Sequence, residues 1–468
     1  MAKEPKPSED SIGYTLLENQ DTDSNEIIHE TSSLVNVEKS EEIEEESDPE
    51  HKLTSTCETF WNICNTIQGL PILAIPYAVK NGGFLALMVM FIIAVTSNYT
   101  AQIIVRCLYD KGICADKSKR KRIRNSFVEI GQAFNSRFGG FLVLVTEILQ
   151  LLFLSAVYPR MVGRMLANSF PNVVSIPCWL WTMIGGIAFV PNIFLQNLSQ
   201  VAWTSIITVV SAKVIFVVVF TYSVSQYQRW ELASLENFDI HTFPAALGVL
   251  VASYLSQPFV PIIEGSMRNK KKFNLVMNLA YSSMTLLNVV IGFVAFISFQ
   301  PNTAEVITNN LPEGSFRRVI NIMAALLAFT SYTLPMFTIF DIVQTQSQLP
   351  FLRENFGAKV CCPDVLVFRT ILVSCSVLMA AVIPRFAYLL ALVGSIAGIS
   401  MEFIFPPLFH SKLYFNELHW WELLINILII SIGTFFMLTG VFFSGKSLFY
   451  SIDEKCRVKF FMFNEQLA

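Results

Sequence analysis

Two stretches of this chain set polar and helix-breaking residues in the middle of long apolar runs. The first, Phe60 to Lys80, carries Asn65, Gln68, Gly69, Leu70 and Pro71 at its centre, and the second, Phe243 to Gly265, carries Ser253, Tyr254, Ser256, Gln257 and Pro258. Proline lacks an N–H and its ring clashes with the preceding turn, while glycine tolerates the dihedrals that result, so each run reads as a helix broken half-way. The first break, at Gly69–Pro71, exposes backbone N–H groups at the start of the second half-helix, and helix N-termini attract anions such as a carboxylate. At the second break, freed carbonyls and the hydroxyls of Ser253, Tyr254 and Ser256 suit an ammonium group. Asn65 and Gln68 add amides within a turn of the first break, with helix–helix hydrogen bonding as their plainer role. An amino acid carries both charges. No nucleophile–base set, metal-ligand cluster or phosphate loop accompanies these residues, so neither an enzyme nor a resident metal or cofactor is expected.

Ionisable residues within apolar runs are the next candidates, because charge at membrane depth is rare and usually functional. Glu147, with Gln150 nearby, is the first candidate to carry a proton; its plainer reading is an ion pair with Lys213 or an arginine. Glu264 is the second, with an i,i+4 pair to Arg268 as the alternative. Asp341 and Glu402 also fall in or near apolar runs, as do Arg160 and Arg164. The rings of Tyr254 and Tyr332 offer cation–π contact to an ammonium. Gly394 and Gly398 match a small-x-x-x-small packing pattern.

The elements that hold these residues are membrane helices. The chain has 468 residues, 53% of them hydrophobic, with 40 Phe and a mean hydropathy of +0.51, too apolar for a soluble protein of this size. Apolar stretches near 60–80, 83–109, 140–166, 177–195, 201–223, 243–264, 275–299, 316–345, 365–385, 387–409 and 420–442 are each long enough to cross a bilayer, making eleven spans. Non-helical backbone at membrane depth is tolerated where it lines a cavity or packs in protein, and broken helices build the substrate site of many secondary transporters. The breaks fall in spans 1 and 6, five apart. The expected architecture is therefore an all-α polytopic membrane protein, spans 1–5 and 6–10 forming a 5+5 inverted repeat, with one extra helix.

Charge sets the ends. Residues 1–59 hold 17 acidic and 4 basic residues, a balance of −13, and the rest of the chain stands at +10. Residues 1–59 read as a disordered acidic cytosolic tail, 60–444 as the transporter domain, and 445–468 as a short lumenal tail. Basic residues concentrate in the loops after spans 2, 6 and 8, which the positive-inside rule places in the cytosol together with the N-terminus. The run Lys117–Arg124 is then a topology determinant or a contact for anionic lipid, and no nucleic-acid partner is expected. Tyr14–Leu17 fits the Tyr-x-x-hydrophobic pattern read by sorting adaptors. The nine cysteines form no C-x-x-C pair, which removes structural zinc.

A resemblance joins these features. Trp61-Asn62, Asn65-x-Ile67-Gln68-Gly69, Pro76-Tyr77-Ala78, Gly82-Gly83, Tyr99-Thr100, Phe243-Pro244, Glu264-Gly265, Glu305 to Pro312 and Pro406-x-Leu408-Phe409-His410 resemble, in order, the vesicular inhibitory amino acid transporter family of the amino acid/auxin permease group. The resemblance runs from about Glu58 to Ser444. It implies an amino acid permease/LeuT-like fold and a multi-pass protein of synaptic-type or other acidic vesicles. It also implies exchange of GABA, glycine or a similar small amino acid for lumenal protons by alternating access. The chain departs from the family pattern at Leu70-Pro71, Ala74 and Tyr158-Pro159-Arg160. The alternative reading is a sodium- or proton-coupled neutral amino acid carrier of the lysosome or plasma membrane, with a channel or receptor behind it. The partners expected are a small amino acid, protons, the lipid bilayer and sorting adaptors.

Overall fold

The computed structural model describes residues 53–110, 121–170, 176–230, 243–346, 363–382 and 393–465. The acidic leading segment with Tyr14–Leu17 lies outside them. Helix α1, Thr56–Gln68, starts from a reciprocal cap: Ser55 Oγ accepts from the Glu58 amide at 3.2 Å, and Glu58 Oε2 accepts from the Ser55 amide at 2.7 Å. It ends at Gly69, and the tight turn Leu70–Leu73 follows, with no side chain capping it and Pro71 withholding one amide. Helix α2, Ile75–Leu108, completes span 1 and then forms span 2. The two join at Gly83, whose φ of +57° is a left-handed value that only glycine takes freely.

Next come α3 (Phe127–Phe134), α4 (Gly139–Ser169), α5 (Cys178–Ile187) and α6 (Leu198–Ser225). The second broken span is α7 (Phe243–Ala252), an unwound stretch at Ser253–Ser256, a turn at Gln257–Phe259, and α8 (Val260–Ser266). It is followed by α9 (Phe273–Phe299), α10 (Ser315–Ser331), α11 (Thr333–Gln346) and α12 (Pro363–Val382). Two π-helical turns, Gly394–Gly398 and Ser400–Ile404, lead into α13 (Phe405–Leu413), and α14 (Trp420–Glu465) closes the described chain.

Among the described residues eight helical segments are long and apolar enough to cross a membrane, and Trp179–Phe194 is a shorter apolar one. The broken first span and the tenth, described from Val393, complete the eleven expected. The two isolated bridges, Thr54 with Met267 and Tyr109 with Arg122, are the only β pairing among the described residues, so the class is all-α. Burial sorts the spans: 78% of the best window is buried in both the sixth and the eighth, against 17% in the eleventh. The broken sixth span is thus central, and α14 is a peripheral addition. Large exposed apolar side chains such as Phe84, Phe91, Trp203 and Phe435 form the surface offered to lipid.

Packing divides the bundle. Span 2 lies along α7 and α9, while α4 lies along α5, α10 and α12; α6 bridges α1 and α10. One helix was not legible in advance. The basic loop after span 2 contains α3, capped by Ser126, which packs on α4 where Gly131 meets Gly139. A β-carbon on Gly139 would stand 2.0 Å from the Gly131 carbonyl oxygen, so this crossing requires a bare backbone. Of the small-residue pair in span 10, only Gly398 is closely approached, by Leu255; a β-carbon at Gly394 would meet nothing within 4 Å.

Candidate functional site

A small cavity of about 20 Å³ sits where the two breaks face each other. Asn65, Thr66, Gly69 and Pro71 line it from span 1, Leu154 and Tyr158 from α4, Ala252, Leu255 and Phe259 from span 6, and Ser331, Leu334 and Pro335 from span 8. That volume accommodates about one water, so an amino acid enters only when these elements part. A larger groove of about 420 Å³ between α2 and α9 is lined by Phe84, Met88, Phe91, Ile92, Phe293 and other apolar side chains, and belongs to the lipid-facing surface.

The polar groups of the first break are poorly satisfied within the protein. Asn65 donates through Nδ2 to Ser205 Oγ at 3.0 Å, but its Oδ1 is buried without a partner. Asn62 and Gln68 are fully buried with no hydrogen bond to any side-chain polar atom, and Ser331 Oγ is also unpartnered. Buried polar groups left unpaired cost about 1–3 kcal/mol each, so these groups are open to bonding by a ligand. The Gly69 amide is already used, donating to the Asn65 carbonyl at 3.2 Å.

The second break is better braced. Ser253 Oγ donates to the Val249 carbonyl at 2.9 Å, and the Ser256 amide donates to Gln257 Oε1 at 3.0 Å. The Ser256 hydroxyl is hydrogen-bonded to that of Tyr281, against which the Tyr254 ring stacks at 6.3 Å. Gln257 Nε2 donates to the Ser97 carbonyl at 3.1 Å and to Thr100 Oγ1 at 2.8 Å. Of the residues expected to touch substrate, Asn65, Gly69 and Pro71 reach the cavity. Gln68, Leu70, Ser253, Tyr254 and Ser256 flank lining residues in the chain but stand outside the lining itself. Tyr332 is also outside: its hydroxyl bonds Ser376 Oγ at 2.9 Å, and its ring packs behind Tyr158 and on Phe189.

The carboxyls separate into different settings. Glu147 is 2% exposed, and its Oε2 and both polar atoms of Gln150 lack partners. It lies seven residues before Leu154, on the same face of α4 and about 10 Å along the axis. Its electrostatic neighbour is Asp341, not a cation. Lys213 is exposed, with its ammonium over the Trp61 ring at 5.2 Å, so the expected ion pair with Glu147 does not form. Glu264, at the far end of span 6, accepts from the Tyr109 hydroxyl and pairs with Arg122 at 3.4 Å. The spacing to Arg268 suggested a helical pair, but α8 ends at Ser266, the chain turns extended at Met267, and Arg268 instead donates its amide to Thr54.

Tyr158, Leu154, Phe259 and Ser331 are cavity residues that sequence reasoning did not assign. A signal existed for Tyr158, since Pro159 beside it marks an irregular turn of α4. Leu154 and Phe259 carried none, because apolar residues in a membrane helix look alike until neighbours are known.

Comparison with known proteins places this geometry. The family model for the transmembrane amino acid transporter protein matches residues 52–446. The vesicular inhibitory amino acid transporter of Xenopus tropicalis is 32% identical over 407 residues, covering 84% of this chain and 76% of that protein. The vesicular GABA transporter of Caenorhabditis elegans is 28% identical, covering 91% of this chain and 87% of its own length. Among solved structures, the crystal structure of MhsT in complex with L-phenylalanine aligns with a TM-score of 0.55 at 10% identity, over 84% of this chain and 99% of that one. This last likeness is one of fold.

Proposed function

The chain belongs to the transmembrane amino acid transporter family, and from that membership we propose that it is a vesicular secondary transporter exchanging small zwitterionic amino acids, GABA or glycine, for lumenal protons. The observation that carries the reading is the cavity between the two breaks, where Asn65 Oδ1 and Ser331 Oγ are left without partners beside Gly69. The carboxylate is received at Gly69, Leu70 and Pro71 with the unpartnered Gln68 Nε2 as a donor beside it, while Asn65 Oδ1, an acceptor, serves the ammonium. The ammonium side lies toward Ser253, Tyr254, Ser256 and Tyr332. Opening of the cavity turns the hydroxyls of the unwound stretch toward it.

The packing division supports alternating access in which spans 1, 2, 6 and 7 rock against spans 3, 4, 8 and 9. Leu154 and Tyr158 on one half then move relative to Gly69 and Leu255 on the other. Glu147 carries a coupling proton in the half that contains α4, and Glu264 is the second carboxyl read for that role. Each pH unit across the vesicle membrane supplies about 1.4 kcal/mol per proton, enough for about a tenfold concentration ratio. The N-terminus faces the cytosol, and the vesicles are of the synaptic or another acidic type.

The test is uptake of a labelled amino acid panel into proteoliposomes with an acidic lumen, with and without a proton uncoupler. Uncoupler-sensitive accumulation of GABA or glycine is the expected result. Accumulation that requires sodium moves the reading to a carrier of the lysosome or plasma membrane.

A further inference from the structure

One enclosed carboxyl has no part in the scheme so far. Glu402 is 0% exposed and sits in the second of the two consecutive π-helical turns of span 10, a distortion frequent at functional sites. Neither of its oxygens makes a hydrogen bond of ordinary geometry, although three polar groups lie close by. Beside it are the Ser97 hydroxyl, the Gln257 side chain and the Ser256 backbone, and Ser97 Oγ is itself buried and unpartnered.

The surroundings lack charge. Span 2 contributes Ser97; the turn after the second break contributes Gln257; and α9 contributes the Tyr281 phenol, the titratable group that interacts with Glu402. The titratable groups on the other packed elements face other neighbours: Glu147 of α4 has Asp341 as its electrostatic neighbour, His410 of α13 bonds Asn426, and Glu422 of α14 pairs with Arg106. Among the described residues no Lys, Arg or His pairs with Glu402. A buried carboxylate without a counter-ion is strongly disfavoured, so this site takes up a positive charge. The Ser256 N–H and the Gln257 amide are already donated to Gln257 Oε1 and to Ser97 and Thr100, so they do not hold a carboxylate, and of the groups beside it Ser97 Oγ is the one free oxygen, too few for a metal cation's shell. A proton suits the site.

We propose that Glu402 is a second proton-binding site of the carrier, linked to the break in span 6 through Gln257 and Ser256. The inference rests on the proton-coupled reading above. With the acid neutral, Gln257 Nε2 stays on the Ser97 carbonyl and Thr100, as the structure has it. With the acid ionised, the same amide is drawn toward the carboxylate. Gln257 Oε1 holds the Ser256 amide, so that movement pulls on the unwound stretch whose Leu255 lines the cavity. A second contact follows the same route, since Leu255 also packs at Gly398 in the preceding π turn.

The experiment compares wild type, Glu402→Gln and Gln257→Leu in proteoliposomes, measuring accumulation driven by a pH gradient beside counterflow without one. Both variants are expected to lose roughly tenfold in gradient-driven accumulation while counterflow stays measurable, which reports a folded carrier. Accumulation at the wild-type level in Glu402→Gln overturns the proposal. So does a wild-type sodium dependence that Glu402→Gln removes, because the site would then hold a metal cation. Should Glu402→Gln fail to fold, wild-type accumulation in Gln257→Leu overturns the link. A wild-type carrier indifferent to the pH gradient counts against the exchanger reading instead. Glu402 is then tested through the protons released to an indicator dye when glycine or GABA binds in detergent. Glu402→Gln must reduce that release, and an unchanged release overturns the site.

Discussion

The phenol of Tyr158 on α4 faces Gly69 at the first break: a β-carbon on Gly69 would stand 3.7 Å from Tyr158 Oη and 3.5 Å from the Asn65 carbonyl oxygen. These are ordinary contact distances, so a methyl group fits without displacing backbone. It does so inside a cavity of about 20 Å³, between the two halves proposed to move. Gly69→Ala is therefore expected to fold and to raise the substrate KM about tenfold, by roughly 1.4 kcal/mol of lost binding. Uptake kinetics check this, and an unchanged KM places the substrate away from Gly69.

Glu147 offers the clearest separation of coupling from binding. Glu147→Gln keeps the shape of the side chain and removes its proton exchange. Filling driven by the pH gradient should be abolished while exchange in trans persists. Equal loss of both ends its assignment to the proton.

Glu264 is tied to two partners, the Tyr109 hydroxyl and the Arg122 guanidinium, at the end of span 6 opposite the cavity. Glu264→Ala leaves both without the carboxylate in a largely buried setting. A stability loss of about 3 kcal/mol is expected, read as a fall in Tm in detergent. If Tm holds and only the response to the pH gradient changes, Glu264 acts in coupling and not as a clasp.

Tyr332→Phe distinguishes a ring contact from a hydroxyl contact. The hydroxyl bonds Ser376 Oγ, which remains satisfied through the Val373 carbonyl when the tyrosine oxygen is lost. The expected effect is about 1 kcal/mol of stability with KM unchanged, since phenylalanine keeps the ring. A large rise in KM would bring the hydroxyl itself to the substrate.

Gly139→Ala tests the crossing of α3 and α4. Its methyl would lie 2.0 Å from the Gly131 carbonyl oxygen, a backbone atom, so one of the two helices must shift. A loss of about 3 kcal/mol or more is expected, seen as reduced folded yield after solubilisation.

What the sequence by itself determined was everything that depends on local chemistry and on hydropathy. Gly69–Pro71 and Gln257–Pro258 weaken a helix from within, because the missing amide and the steric clash are properties of the residues. Runs of about 20 apolar residues cross a bilayer whatever their neighbours, so the spans and their pairing at 1 and 6 were legible. The order of motifs from Glu58 to Ser444 carried the family. Tertiary structure alone decided which side chains meet. Asn65 and Gly69 line the cavity while Tyr254 and Tyr332 stand just outside its lining, because rotation of one helix against another is set by packing that no single span encodes. Glu264 found Arg122, from a loop 142 residues earlier, once α8 had ended before Arg268. Glu402 was one acid among several in the sequence. It became distinctive only when the fold set it beside Ser97, Ser256 and Gln257, with no counter-charge among the described residues.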